Sequence, residues 1–201
     1  LVKQCKGGIN NTIHAQGFVD CAQTSEQITA NGSPDSTKIT VPNSDGCLVA
    51  CWGDVVMDEV EGEITKHIPA SIVFSARRAE QDAQNTNSVP YRSIGNLRIS
   101  CKGLCTSVSG TLTKCTCRQA KMNEVVENGV ITLVNKGNGR WYTWGDHSAA
   151  VTAGSVDDET YRFDSNVAVL YHILNRFVAK WGNVIDSPMS LRLRDRILAD
   201  Q

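Results

Sequence analysis

Apolar residues are spread unevenly along the chain, and the clearest pattern falls in its last third. Val130-Ile131-Thr132-Leu133-Val134 is a β-branched run of the kind that forms a buried strand. Lys136 to Gly139 then offers residues tolerant of positive φ, which predicts a turn. Arg140-Trp141-Tyr142-Thr143-Trp144 follows as an aromatic strand that stops at Gly145. Beyond it, Val167, Leu170, Ile173 or Leu174, Phe177, Val178 and Trp181 recur at helical spacing. They predict a helix over 164–182, with Asp164 or Ser165 as its N-cap. Ser187-Pro188 starts a further helix over 187–199, in which Arg192, Arg194, Asp195 and Arg196 alternate with Leu191, Leu193, Ile197 and Leu198.

Upstream the same reading yields shorter elements. The run from Cys47 to Asp58 predicts one long or two short strands, closed by a turn at Glu61-Gly62. Pro69 suits the first turn of a helix over 69–84, because its missing N–H would have no partner there. Ile72, Val73, Ala76 and Ala79 mark the apolar face of that helix, and Arg77, Arg78, Glu80, Gln81 and Asp82 fall largely outside it. Residues 97–101 read as a strand, residues 105–115 as a hairpin about Ser109-Gly110, and residues 117–127 as a short helix with Gly129 near its C-terminal cap. Residues 1–46 are rich in Asn, Ser, Thr, Gly and Asp, with short strand candidates only near Phe18 and Ile39. The expected organisation is an irregular segment over 1–46, the end of a preceding domain, and an α/β (α+β) domain over 47–201. In that domain a mixed sheet of 47–58, 97–101, 130–135 and 140–145 is covered by helices.

Composition narrows the function classes. With 41% apolar and 20% charged residues the chain is ordinary for a globular domain. A net charge of −1 argues against nucleic acid as the main partner, which would call for clustered Lys and Arg. No apolar run of about eighteen residues exists to span a membrane, and no signal-peptide pattern is visible. The acidic run Asp157-Asp158-Glu159 reads as a solvated face rather than a metal site. His14, His67, His147 and His172 are scattered and sit in no catalytic signature, so neither an enzyme nor a cofactor is expected.

The eight cysteines are Cys5, Cys21, Cys47, Cys51, Cys101, Cys105, Cys115 and Cys117. An even count makes all of them disulfide candidates. On a shared strand Cys115 and Cys117 would lie about 6.7 Å apart and Cys47 and Cys51 about 13 Å, so partners from elsewhere, or from another copy, are needed. Cys105 and Cys115 flank the hairpin turn and are a candidate pair, whose loop would contribute roughly 3 kcal/mol. Two alternatives remain, free structural thiols and a zinc site on Cys101, Cys105, Cys115 and Cys117. The spacing C-x3-C-x9-C-x-C differs from that of a ribbon or finger.

The segments "NGVITLVN", "GRWYTWGDHSAA" and "VIDSPMSLRLRDRI", preceded by "IPASIVFSARRAEQDAQNTNSVPYRSIGN", resemble the tail sheath proteins of contractile phage tails and related injection machines. The likeness runs from about Pro69 to Ile197, and the cysteine-bearing segment 97–117 stands outside it. It implies a structural subunit in a virion tail, assembled in the host cytoplasm, that stacks helically around a tail tube and contracts to drive the tube through a host envelope. Partners would be further copies of the chain, the tube protein, and baseplate and tail terminator proteins. It further implies that Trp141 and Trp144 are packing anchors and that Arg192, Arg194 and Arg196 face the tube. In that family, terminal arms link neighbours as added β-strands, and the chain, which starts at Leu1, would be the inner C-terminal part of a longer subunit. Disulfides within or between subunits would brace one sheath state. The alternative from another class is a disulfide- or zinc-stabilised binding or adhesion module of a virion or secreted protein.

Overall fold

A computed structural model describes residues 15–41, 47–85, 90, 92–137, 139–149, 162–181 and 199. The apolar run forms strand β8, Val130–Asn135, and every residue of it except Asn135 is buried. Apolar residues on both faces are what a central strand needs. On one side β8 pairs in parallel with β2, Leu48–Cys51, and on the other it pairs antiparallel with β9, Trp141–Trp144. A parallel strand β1, Gly17–Asp20, extends the sheet beyond β2, and β5, Arg98–Ile99, closes the other edge against β9. The result is a five-stranded mixed sheet in the order β1-β2-β8-β9-β5.

A second sheet is antiparallel, in the order β4-β3-β6-β7, with β3 at Asp54–Val60, β4 at Glu63–Pro69, β6 at Gly103–Val108 and β7 at Thr111–Cys115. Its hairpins turn at Glu61-Gly62, with φ of 53° and 89°, and at Ser109-Gly110, with φ of 49° and 82°. Two successive positive φ values make a turn whose twist matches that of the flanking strands.

The expected single sheet is therefore two. The 47–58 segment splits at Trp52-Gly53, so that β2 belongs to one sheet and β3 to the other. Gly53 has φ of 86°, and a Cβ there would stand 3.0 Å from Leu104 and 3.1 Å from the Cys105 carbonyl. Only glycine allows both the conformation and the close approach. Trp52, wholly buried beside this corner, donates from Nε1 to Gln27 Oε1 at 2.9 Å. Gln27 in turn donates to the carbonyls of Ala22 and Lys38, which pins residues 22–38 onto the core. The strand expected near Ile39 is instead a 3-10 turn at Ser36–Lys38, because the Asp35 carboxylate accepts from Thr37 N at 3.1 Å and competes with strand pairing. The β4 strand was not expected from the pattern.

Three helices are described. α1, Ala70–Ala83, packs against β1 and the corner strands through Ala70 and Phe74. Its N-terminus is capped from another element, since the Asp20 carboxylate on β1 accepts from Ser71 N at 2.8 Å and from Ser71 Oγ at 2.5 Å. α2, Gln119–Glu127, lies on β8 and β9 through Met122 and Val125. It starts two residues later than expected, as Cys117 is held extended by Asn135 N, which donates to its carbonyl at 3.1 Å. α3, Asp164–Trp181, matches the periodic stripe. Of the helix expected over 187–199 only residue 199 is described, and Cys5, Arg192, Arg194 and Arg196 lie outside the described residues. Among the described residues no helix is long and apolar enough to cross a membrane.

Candidate functional site

The strongest concentration of buried charge lies where α3 meets the body, at residues that the pattern had read otherwise. Asp164, expected as an N-cap, has no exposed surface and directs its carboxylate away from its own helix. Oδ2 accepts from Arg78 Nη1 at 2.6 Å and from Ile94 N at 3.5 Å, and Oδ1 accepts from Ser93 Oγ at 3.0 Å. Its backbone is tied as well, with N donating to Asp146 O at 2.9 Å and the carbonyl accepting from Gln16 Nε2 at 3.0 Å. Arg78, placed outside the apolar face of α1 by its spacing, is buried to 5% exposure by the same contact. Its Nε donates to both oxygens of Asp82 at 3.0 and 3.1 Å, and its Nη2 to the Pro90 carbonyl at 3.2 Å. One guanidinium thus serves two carboxylates. Burial pushes the Asp164 carboxyl above the usual carboxylate range, against the pull of Arg78 and Ser93.

Next to this cluster a cleft of about 300 Å³ separates α3 from α1, lined by Gln16, Arg78, Asp82, Tyr171, His172 and Asn175 among others. His172 Nε2 is buried at this interface without a hydrogen-bond partner among the described residues. At the other side of Asp146, His147 stacks on Phe163 with ring centroids 5.5 Å apart, and burial holds its imidazole below the ordinary value.

The aromatic strand divides its side chains between core and surface, as alternation requires. Trp141 and Thr143 are buried, whereas Tyr142 and Trp144 are half-buried. Trp144 Nε1 donates to Asn123 Oδ1 at 2.7 Å, and Lys136 Nζ lies 4.9 Å from the ring centroids of both Tyr142 and Trp144. Trp144 also lines a groove of about 460 Å³ with Ser93, Asn96, Asn123, Glu127 and Asp146.

Cys21, Cys51, Cys101, Cys105, Cys115 and Cys117 are free thiols. The β6–β7 register sets Leu104 opposite Cys115 and Cys105 opposite Lys114. The turn centre between residues 109 and 110 pairs 104 with 115, so the expected Cys105–Cys115 bridge is out by one residue and its partners point to opposite faces. Burial pushes the thiols of Cys21, Cys101 and Cys105 up to about 12, and those of Cys51 and Cys117 also lie well above the ordinary value. Cys117 is held against Cys115, donating from Sγ to its carbonyl at 3.6 Å. Among the described residues no three His, Cys, Asp or Glu side chains come together as a metal site, the Cys101, Cys105, Cys115 and Cys117 set included.

Asp54 and His67 form a close Asp–His pair: His67 Nδ1 lies 2.8 Å from Asp54 Oδ2, and Gln23 Nε2 donates to Asp54 Oδ1 at 2.8 Å. Cys105 faces Asp54 in the strand register. Its thiol is pushed up by burial first and by Asp54 second, the opposite of what a nucleophile needs.

No protein-family model matches the chain, and no curated protein matches it by sequence. Solved structures do match in fold. The helical sheath of the anti-feeding prophage in its contracted state superposes with a TM-score of 0.59 at 12% identity, over 92% of this chain and 43% of that one. The sheath of the extracellular contractile injection system PVC, also contracted, gives 0.59 at 14% identity, over 90% and 45%. The sheath tail protein from Desulfitobacterium hafniense gives 0.57 at 10% identity, over 98% and 39%. The chain thus spans less than half the length of these neighbours, and it has the fold of a part of contractile sheath proteins.

Proposed function

We propose that this chain is the inner, C-terminal part of a contractile tail sheath subunit, a structural protein rather than an enzyme. The observation that carries the reading is the fold shared over nine-tenths or more of the chain with sheath proteins of three different sources. Copies of the subunit would stack around a tail tube through a heterologous contact that repeats along a helix instead of closing. The extended sheath would be a kinetically trapped state whose release drives the tube through a host envelope. β1, at the edge of the five-stranded sheet, offers backbone groups to which a neighbour's strand can add.

In this reading Arg192, Arg194 and Arg196 face the tube, and baseplate and terminator proteins close the two ends of the sheath. The particle is a phage tail that ejects a genome, assembled in the host cytoplasm. Disulfide bracing would have to use Cys101, which is half-buried, since the other described cysteines are buried, or Cys5. Negative-stain electron microscopy of the subunit, expressed with its tube protein, tests the proposal. Tubes or stacked rings around the tube are expected, and dispersed monomers at high concentration would overturn it. Bracing is tested separately, by comparing the thermal stability of assembled tails with and without reductant. Identical curves would remove the disulfides from the proposal and leave the rest standing.

A further inference from the structure

The cluster at Asp164 joins two parts of the molecule that are otherwise differently attached. The first two turns of α3 are anchored, with Asp164 and Val167 wholly buried and Tyr171 8% exposed. From His172 to Lys180 no residue is fully buried, and Ile173 and Phe177 are exposed by 58% and 41%. Between the middle of α3, from Ala168 to Asn175, and α1 lies the polar cleft, with the unpartnered His172 Nε2 on its wall. A close-packed helix interface leaves neither such a space nor such an atom.

Arg78 completes the arrangement. Its Nε holds both oxygens of Asp82, and a different nitrogen, Nη1, holds Asp164. If Asp164 leaves, Arg78 keeps a carboxylate partner on Nε, and Asp164 regains water. Neither charge is then left buried and unpaired, which is the usual barrier to opening a buried ion pair. The positions of Ser93 and Ile94 do not depend on α3 alone, since Gly95 N donates to Ser93 Oγ at 3.0 Å and the Ile94 carbonyl accepts from Thr143 Oγ1 at 2.5 Å. The receptor for Asp164 therefore persists when the carboxylate is gone.

We infer that α3 is an arm clasped to the body at Asp164, which opens when Asp164 leaves Arg78 while Asp82 retains the guanidinium. The clasp is a property of the single chain and is independent of how copies assemble. Hydrogen–deuterium exchange with mass spectrometry, run on the full chain and on Asp164→Ala and Asp82→Asn, tests it. In Asp164→Ala the amides of residues 165–180 should exchange at least tenfold faster while β2 and β8 keep their rates. In Asp82→Asn, where Arg78 has only Asp164 left to hold, α3 should exchange at the same rate or more slowly. Equal acceleration in both variants would show a merely structural network and overturn the inference. So would unchanged α3 exchange in Asp164→Ala, or acceleration shared by β2 and β8. Should Asp164→Ala fail to fold, Ser93→Ala takes its place, with a two- to fivefold rise confined to α3 supporting the clasp and no rise overturning it.

Discussion

Between β2 and β8, Val49, Ala50, Ile131 and Leu133 are wholly withdrawn from water, whereas on α3 Ile173 and Phe177 keep 58% and 41% of their surface. The sheet body is held by apolar contact on both faces of its central strands, which is non-directional and spread over many residues. The arm puts only Val167 and Tyr171 into the core, with Leu170 and Leu174 packed against it, and the rest of its hold is a few directional bonds at Asp164. A load shared by many contacts fails only as a whole. One concentrated at a single carboxylate can be released locally.

The largest test of this contrast is Arg78→Met. It leaves the buried Asp164 and the half-buried Asp82 without a cation, and breaking a buried pair from one side costs about 3–5 kcal/mol. Urea denaturation should show that loss, and Asp164→Ala should cost less than half as much because Arg78 keeps Asp82. Equal losses would mean that Asp82 is no alternative partner. Next is Gly53→Ala, in the body. A left-handed conformation at a residue with a Cβ costs about 1–2 kcal/mol, and the contacts at 3.0 and 3.1 Å add to it. The loss should appear as a lower melting temperature, with β2 and β3 exchanging faster and α3 unaffected.

Smaller again is a pH effect confined to the arm. The Asp164 carboxyl is raised in the folded state above its value of 3.8 in a free chain. The folded protein therefore binds this proton more tightly than the unfolded chain does. The associated stability is present below that value and is lost as pH rises through the folded one. Asp164→Asn carries no such proton, so the stability difference between it and the parent should change in favour of the variant as pH rises through the acid range. A constant difference across denaturation curves in that range would contradict the burial assigned to this carboxyl. The smallest effect belongs to the exposed face of α3. Replacing Ile173 and Phe177 with Ser should change the stability of the isolated chain by less than about 0.5 kcal/mol each, as exposed positions do. A larger loss in either would show that the distal half of the arm is packed after all.

Much of the fold was readable from local pattern. The strand at 130–135, the aromatic strand after it and the helix from 164 follow from periodicities that depend only on neighbouring residues. The candidate site was less readable. Asp164 has the right identity and place for an N-cap, and nothing near it in sequence announces Arg78, 86 residues away. Arg78 looks like a solvent-facing residue for the same reason. Cys105 and Cys115 mislead by a single position, because they are symmetric about Gly110, whereas the two-residue turn centres the pairing between Ser109 and Gly110.

What the sequence determined by itself is the strands at 130–135 and 141–144, the helices near 70–83 and 164–181, and the resemblance to sheath proteins carried by the last seventy residues, since strand and helix periods and local motifs are written in consecutive positions. Tertiary structure alone decided that the 47–58 run would break at Gly53 into two sheets and that Asp20 would cap α1 from another strand. It also decided that a lone buried guanidinium would join α1 to α3. Each of these depends on the free energy of removing charge or backbone polar groups from water, and their partners are supplied by residues that only folding brings near.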